Sequence, residues 1–354
     1  VHKAKVVGVA LICLIGIVTL ESKKMRQSKQ TSPPISIAFT GDVMIGRTVN
    51  KIIAKKGCSY IWGTMLEYLQ NADLTIVNLE TTLTKSNQAI PKVFNFKSDP
   101  HNVQCLAKAG IDVVTLANNH SLDFDIEGLQ ETIDTLNAAG ILYVGAGMNT
   151  TEAKKPVIIT IHGLRIGILG YTDNEPTWKA EIDKPGVHYI QVGDIDMIKE
   201  DIKGIRNHVD ILIATLHWGP NMRQRPTQEF INFAHAMIDA GIDIIHGHSA
   251  HVLQGVEVYN NRLIMYDTGD FIDDYQIDPL LRNDQTCLFL VTVDQQGVLD
   301  VRLVPALIEA MQVNKADKKT TRTILQRMKK LSLERDTHLD NDVIKIRGTS
   351  QNFE

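Results

Sequence analysis

The stretch Asp243-Ile-Ile-His-Gly-His-Ser-Ala-His251 places three histidines within six residues at the end of a β-branched run. An apolar run that ends at Gly247 predicts a buried strand that delivers its last side chains to a sheet edge. Imidazole is the commonest metal-binding side chain, and glycine lets the backbone turn so that neighbouring rings converge. Taken alone, the stretch also fits one core histidine followed by two exposed loop histidines. Other strand-end clusters weigh against that reading: Thr40-Gly-Asp42, Val77-Asn-Leu-Glu80, Leu116-Ala-Asn-Asn-His120 and Thr215-Leu-His217.

Outward from that stretch, strand-like and helix-like segments alternate. Residues 35–40 read as a short strand running into Gly41-Asp42, with further strands at 73–78 and 111–116. Pro100 opens a helix over 100–109, since proline suits a first helical position. A second helix over 126–139 is closed by Gly140. Two adjacent strands at 156–161 and 164–170 follow, then a helix at 194–207, a strand at 210–216, a helix at 227–240 and the 242–246 strand. Beyond His251 the pattern turns to hairpins, 254–259 with 262–266 and 286–293 with 298–304. Alternation followed by hairpins predicts a layered α/β domain with a partly antiparallel sheet.

A chain of 354 residues can bury a large core, and a net charge of −4 gives no nucleic-acid surface. The four cysteines are far apart and match neither a disulfide framework nor a zinc-thiolate site. Lys3 and Lys5 precede an apolar run over 6–20, somewhat short of the roughly 20 residues that cross a bilayer comfortably. No Ala-x-Ala-like site precedes Glu21, so residues 1–21 read as an uncleaved signal-anchor. Residues 22–34 are a polar, basic tether ending in Ser-Pro-Pro. The expected protein is single-pass in a bacterial cell membrane with its domain, 35–311, outside. The basic tether opposes the positive-inside preference, but long domains translocate regardless. Residues 312–354 read as a charged peripheral helix, with Ile324, Leu325, Met328 and Leu331 on one side, and a loose tail.

The chemistry-bearing residues fall at the carboxyl ends of separate strands, the edge where open α/β sheets place their sites. Asp42, Glu80, Asn119, His217, His248 and His251 form the candidate metal set. Oxygen and nitrogen donors without thiolate suit Mn, Fe or Zn. Two such ions can clamp the attacking and leaving oxygens of a phosphoryl displacement. Glu80 is the natural bridging carboxylate between them. His120 follows Asn119, so an amide on the metal places its imidazole beside the substrate as a proton donor. Asp123 either orients His120 or caps the following helix. Arg47, Arg223 and Arg225 are candidate contacts for an anionic substrate. Gly145-Ala-Gly147 lacks a third glycine, and Gly247-His-Ser-Ala-His251 lacks the closing glycine of a nucleophile elbow.

The ordered set Gly41-Asp-Val-Met-Ile-Gly-Arg47, Asn78-Leu-Glu80-Thr, Ala117-Asn-Asn-His-Ser-Leu-Asp123, His217-Trp-Gly219 and Gly247-His-Ser-Ala-His251 resembles the poly-gamma-glutamate capsule biosynthesis (CapA) family. The resemblance runs over about residues 35–305. It implies a four-layer α/β/β/α sandwich similar to the calcineurin-like metallophosphoesterases, two divalent metal ions, and an anionic polymer or phosphoester substrate. It also implies a cell-surface role in capsule synthesis or export, with capsule synthase subunits as partners. Two functions follow: a two-metal hydrolase, or a metal-binding but catalytically silent assembly factor.

Departures from the family pattern are visible. Asp42-Val-Met44 lacks the histidine of the Asp-x-His of metallophosphoesterases. Ser249-Ala-His251 stands where many relatives carry His-Pro-His, which leaves the partner of His251 open between His248 and His246. Pro220-Asn-Met222 removes a carboxylate after His217-Trp-Gly, and Asp267-Thr-Gly-Asp-Phe271 is acidic where relatives are neutral.

Overall fold

The Ile35–Val43 strand begins both the main sheet and the site. Its side chains alternate up to Phe39: Ile35, Ile37 and Phe39 enter one core while Ala38 enters another, as the period of two in a strand requires. The register shift after Phe39 brings Val43 to the side of Ala38. The computed structural model describes residues 33–347. The proposed anchor, 1–21, and nearly all of the tether lie outside the described residues. Among the described residues, no helix is long and apolar enough to cross a membrane.

Two large sheets carry the fold. The first runs, neighbour to neighbour, Gln312–Lys315, Gly297–Glu309, Gln285–Asp294, Ile35–Val43, Leu74–Leu79, Val113–Thr115 and Leu142–Val144. The last four are parallel, and Gln285–Asp294 pairs antiparallel with Ile35–Val43. The second runs Val256–Tyr259, Arg262–Met265, Ile244–His248, Ile211–His217, Leu164–Thr172 and Val157–Ile161. Ile37, Phe39, Ile76 and Val113 of the first share a core with Ile166, Ile168, Ile213 and Ile244 of the second. Fully burying one such side chain contributes about 1.5–3 kcal/mol, so this core holds the two sheets firmly face to face. The far face of the first sheet is covered by helices through Val49, Trp62, Leu106 and Leu129. That of the second is covered through Ile198, Ile202, Ala234 and Met237. The order is helix, sheet, sheet, helix, within a mixed α/β fold.

Polar ties under the site fix one sheet against the other. Thr115 Oγ1 donates to Thr215 Oγ1 at 2.9 Å, and His246 Nε2 donates to the Thr40 carbonyl at 2.7 Å. Two glycines permit the approach of neighbouring segments. A Cβ on Gly41 would stand 1.9 Å from the Gly269 carbonyl oxygen, and one on Gly247 2.1 Å from that of Tyr266.

Three expectations need correction. Cys58 and Cys105 form a disulfide across 47 residues, although nothing in their spacing signals a pair. The fold brings together the short helices Cys58–Trp62 and Val103–Lys108 that bear them. Residues 312–347 are part of the domain: Gln312–Lys315 and Val343–Lys345 both pair with Gly297–Glu309. The end of the expected tail, 348–354, lies outside the described residues. Helix Lys318–Leu333 buries Ile324 and Met328 in the core between the sheets. Its charge pattern describes only its outer face. The segment 47–70, given no element by the sequence pattern, holds three helices: Arg47–Lys56, which buries Val49 and Ile53, and the five-residue Cys58–Trp62 and Leu66–Gln70, too short to show a period.

Candidate metal centre

Strand register brings the chosen residues together. Asp42 pairs with Asn78 and with Asp270, and His217 pairs with His248. Glu80 follows Leu74–Leu79 directly, and Asn119 and His120 lie in the turn after Val113–Thr115. His251 follows Ser249, whose φ of 114° and the 59° of His251 itself fold the chain back over the strand end. Donor atoms of Asp42, His217 and His248 lie within 4.8 Å of one another, as do those of Asp42, Glu80 and His251. The carboxylate common to both groups is Asp42, not Glu80. It ends the strand that neighbours both Leu74–Leu79 and the Asp270 segment, so it faces the histidines of the second sheet directly.

Most of these side chains have a holder, and several keep an atom free. Asn78 Nδ2 donates to Asp42 Oδ1 at 2.7 Å, while Asn118 Nδ2 donates to Asn78 Oδ1 at 3.0 Å. His251 Nδ1 lies 2.9 Å from Asp270 Oδ1 and 3.1 Å from Asp42 Oδ2. His248 Nε2 meets Thr215 Oγ1 at 2.9 Å, and its Nδ1 meets His217 Nδ1 at 2.9 Å. His246 is committed to Thr40 and stands outside both groups. Both carboxylate oxygens of Glu80, Asn119 Oδ1, His217 Nε2 and His251 Nε2 are buried with no hydrogen-bond partner among the described residues. A buried polar atom without a partner costs about 1–3 kcal/mol, and five together call for a missing partner. A divalent ion is the partner that oxygen and imidazole lone pairs share.

The electrostatics point the same way. Burial raises the Glu80 carboxyl well above its usual range, helped by the neighbouring Asp42 charge. Burial likewise drives Asp270 well up, against the pull of His251. Burial would lift Asp42 as well, but the His251 contact and the nearby His217 and His248 outweigh it and hold it low. Burial pushes His217 down to about 3 and His248 well down. His251 resists its burial because Asp270 and Glu80 face it, and it rises. Glu80 and Asp270, pressed toward neutrality, and His217 and His248, held neutral, mark places where positive charge is short, while Asp42 and His251 already answer each other.

His120 stands beside the cluster. Its Nδ1 lies 2.5 Å from Asp123 Oδ2 and its Nε2 3.7 Å from Glu80 Oε1. Asp123 does not cap the helix Asp125–Ala139, whose N-cap position is Phe124 without a side-chain bond. The Asp123 carboxylate also accepts from the Phe96 N–H at 2.6 Å and from Lys92 Nζ at 3.1 Å. The Phe96 ring meets His120 edge-on at 4.4 Å. Arg47 lies over Phe96 at 4.8 Å with Asp274 at 3.3 Å, one aromatic layer from His120. Arg225 is corrected: its fork is committed to Glu334 at 2.7 and 2.8 Å. Arg223 is exposed beside Trp218 and Pro226 rather than among the ligands.

Sequence reasoning missed Asp270, Lys92 and Tyr275. Asp270 had a signal, the acidic Asp267-Thr-Gly-Asp270, which stood out without being assigned a role. Asp267 accepts the Ala250 and Gly269 N–H groups at 2.6 and 2.8 Å and so braces the loop that carries His251. Tyr275 packs on His251 at 5.1 Å and on Phe96 at 6.0 Å. Neither it nor Lys92 belongs to a motif that the sequence could display.

Buried carboxylates, an amide and imidazoles at strand ends, with no thiolate among them, make a donor set for divalent metals. Residues 36–275 match the family described as bacterial capsule synthesis protein PGA_cap, and the chain belongs to that family. It is 30% identical over 346 residues to a "probable polyglutamine synthesis accessory protein" of Mycobacterium tuberculosis, covering 84% of this chain and 91% of that one. It is 30% identical over 277 residues to the capsule biosynthesis protein CapA of Bacillus anthracis, covering 74% and 67%. Among solved structures, the NAD nucleotidase of Haemophilus influenzae superposes with a TM-score of 0.46 at 14% identity, covering 84% and 56%.

Proposed function

We propose that this cluster holds two divalent ions, Mn, Fe or Zn, in a metallophosphoesterase-like sandwich. The chain is then a membrane-anchored hydrolase of phosphoester or related acyl bonds, working at the bacterial cell surface in poly-gamma-glutamate capsule synthesis or export. The carrying observation is the set of buried, unpartnered donor atoms on Glu80, Asn119, His217 and His251. Asp42, His217 and His248 would hold one ion, and Asp42, Glu80 and His251 the other, with Asn119 beside them. Such ions clamp the attacking and leaving oxygens of a displacement and lower the pKa of bound water to about 7.

The chain's own residues do the rest. Asp270 fixes the His251 ring through Nδ1, which keeps Nε2 free as a donor. Asp123 fixes His120 through Nδ1, so its proton transfer with substrate takes place at Nε2. Burial lowers the His120 pKa against the opposing pull of Asp123, which favours a neutral ring that can take a proton and return it. The Cys58–Cys105 disulfide supports a location outside the cytoplasm, where such bonds persist. The apolar run over 6–20 supports the anchor.

A second reading is a metal-holding but catalytically silent partner of capsule synthase subunits. It draws on the burial of the cluster, where Asn119 alone of the six ligands is more than marginally accessible, and on the word "accessory" in the mycobacterial relative's name. The purified full chain, with and without manganese, separates the two. Manganese-dependent turnover of phosphodiester or poly-glutamyl substrates that is lost in Asp42→Ala supports the hydrolase. Bound metal with no turnover of either supports the silent factor.

A further inference from the structure

Helix Lys318–Leu333 carries six basic residues and no acidic one, in a chain where acids outnumber bases 41 to 37. Its faces are sharply divided. Ile324, Met328 and Leu331 are buried, and Arg327 turns inward to the Leu281 carbonyl and Gln285 Oε1, both at 3.0 Å. Lys318, Lys319, Arg322, Lys329 and Lys330 are exposed. At 100° per residue, Lys318, Arg322 and Lys329 fall within about 40° of one another, with Lys319 and Lys330 on one flank. Asp317 and Glu334 bracket the helix and temper Lys319 and Lys330. Lys318, Arg322 and Lys329 have no carboxylate partner among the described residues. The result is an uncompensated basic stripe about 17 Å long, from Lys318 to Lys329 at 1.5 Å per residue.

We infer that this stripe is a docking surface for an extended polycarboxylate chain, separate from the metal centre. The stripe is long and narrow, and the cations are spaced along it rather than gathered into a pocket, which fits a flexible linear polyanion. Four of the five are lysines, point charges on flexible stems that hold a polyanion through charge and spacing rather than through the bidentate fork of arginine. A lipid surface fits less well, because an interfacial helix must sink its apolar face into the bilayer. Here that face is locked into the core between the sheets. The helix ends against the second sheet: Ser332 Oγ accepts the Val256 N–H at 3.0 Å, and Val256 pairs with Met265, the neighbour of His246. The stripe itself follows from charge alone. The choice of a polycarboxylate rests on the proposed role in capsule polymer synthesis.

The test is binding of fluorescent poly-gamma-glutamate to the full chain, measured by anisotropy across a salt series. The triple variant Lys318→Glu, Arg322→Glu, Lys329→Glu changes exposed residues only. Its affinity falls by about tenfold or more, and the salt dependence flattens. An equal charge change at Lys51, Lys55 and Lys56 on another helix leaves affinity within about twofold. Melting temperature, bound metal and phosphodiester turnover stay unchanged in both variants, so loss of polymer binding is read apart from the fate of the hydrolase assignment. Three results overturn the inference: no binding by the unmodified chain, equal losses in the two triple variants, or capture of anionic vesicles or RNA in preference to the polymer.

Discussion

Replacing His120 with alanine removes the imidazole but neither set of metal donors, because His120 belongs to neither. A positioned general acid–base group typically contributes about 10²–10⁴-fold to rate, which is about 3–5 kcal/mol of barrier at 1.36 kcal/mol per decade. The cost to folding is smaller. Asp123 keeps the Phe96 N–H and Lys92 as partners, so its carboxylate is not orphaned. The loss is then one hydrogen bond to a charged group, about 1.5–3 kcal/mol, together with the edge contact to Phe96. Metal content by mass spectrometry, melting temperature and turnover with saturating manganese are measured on one preparation. Turnover falls by about 10²-fold or more while bound metal is unchanged and the melting point drops by a few degrees. Lost metal makes His120 a ligand and refutes the division of roles; unchanged turnover removes it from the chemistry.

Asp270→Asn weakens the orientation of His251 and lowers metal affinity about 10–100-fold, read by competition with a chelating dye. Without metal, stability falls as pH rises from 6.5 to 8. In that window the groups whose folded pKa is raised, Asp273 to about 7, Asp267 to about 8 and His251 upward, lose protons that the unfolded chain has largely already shed. The depressed His217 and His246 contribute only below 6.5, where their stabilisation is lost as pH falls. Thermal melts of chelated protein check this, and a flat or rising profile across 6.5–8 speaks against the charge arrangement. Reduction or Cys58→Ser removes a cross-link over 47 residues and costs about 4 kcal/mol by chain entropy; a melting temperature indifferent to reductant contradicts it.

Much of the site was legible because its residues sit at strand ends. A β-branched run followed by Gly and His marks both the strand and the point where its side chains emerge, as in Ile244–His248. Gly41 and Gly247 were legible as glycines, but their reason is a backbone from a distant segment within 2.1 Å of a would-be Cβ. No local pattern carries that. Asp42 as the shared carboxylate depends on pairing with Asn78 and Asp270 from two other strands. The Cys58–Cys105 bond and the core role of Ile324 and Met328 are likewise contacts across the chain. The highly charged outer face of Lys318–Leu333 gives a helix the look of a peripheral one, although its inner face completes the core.

The most direct measurement of the central claim is anomalous diffraction from crystals grown with manganese. Two peaks are predicted, one among Asp42, His217 and His248 and one among Asp42, Glu80 and His251, and both vanish in Asp42→Ala because that carboxylate serves both. Peaks elsewhere, or a well-ordered cluster with no peak at saturating manganese, contradict the account.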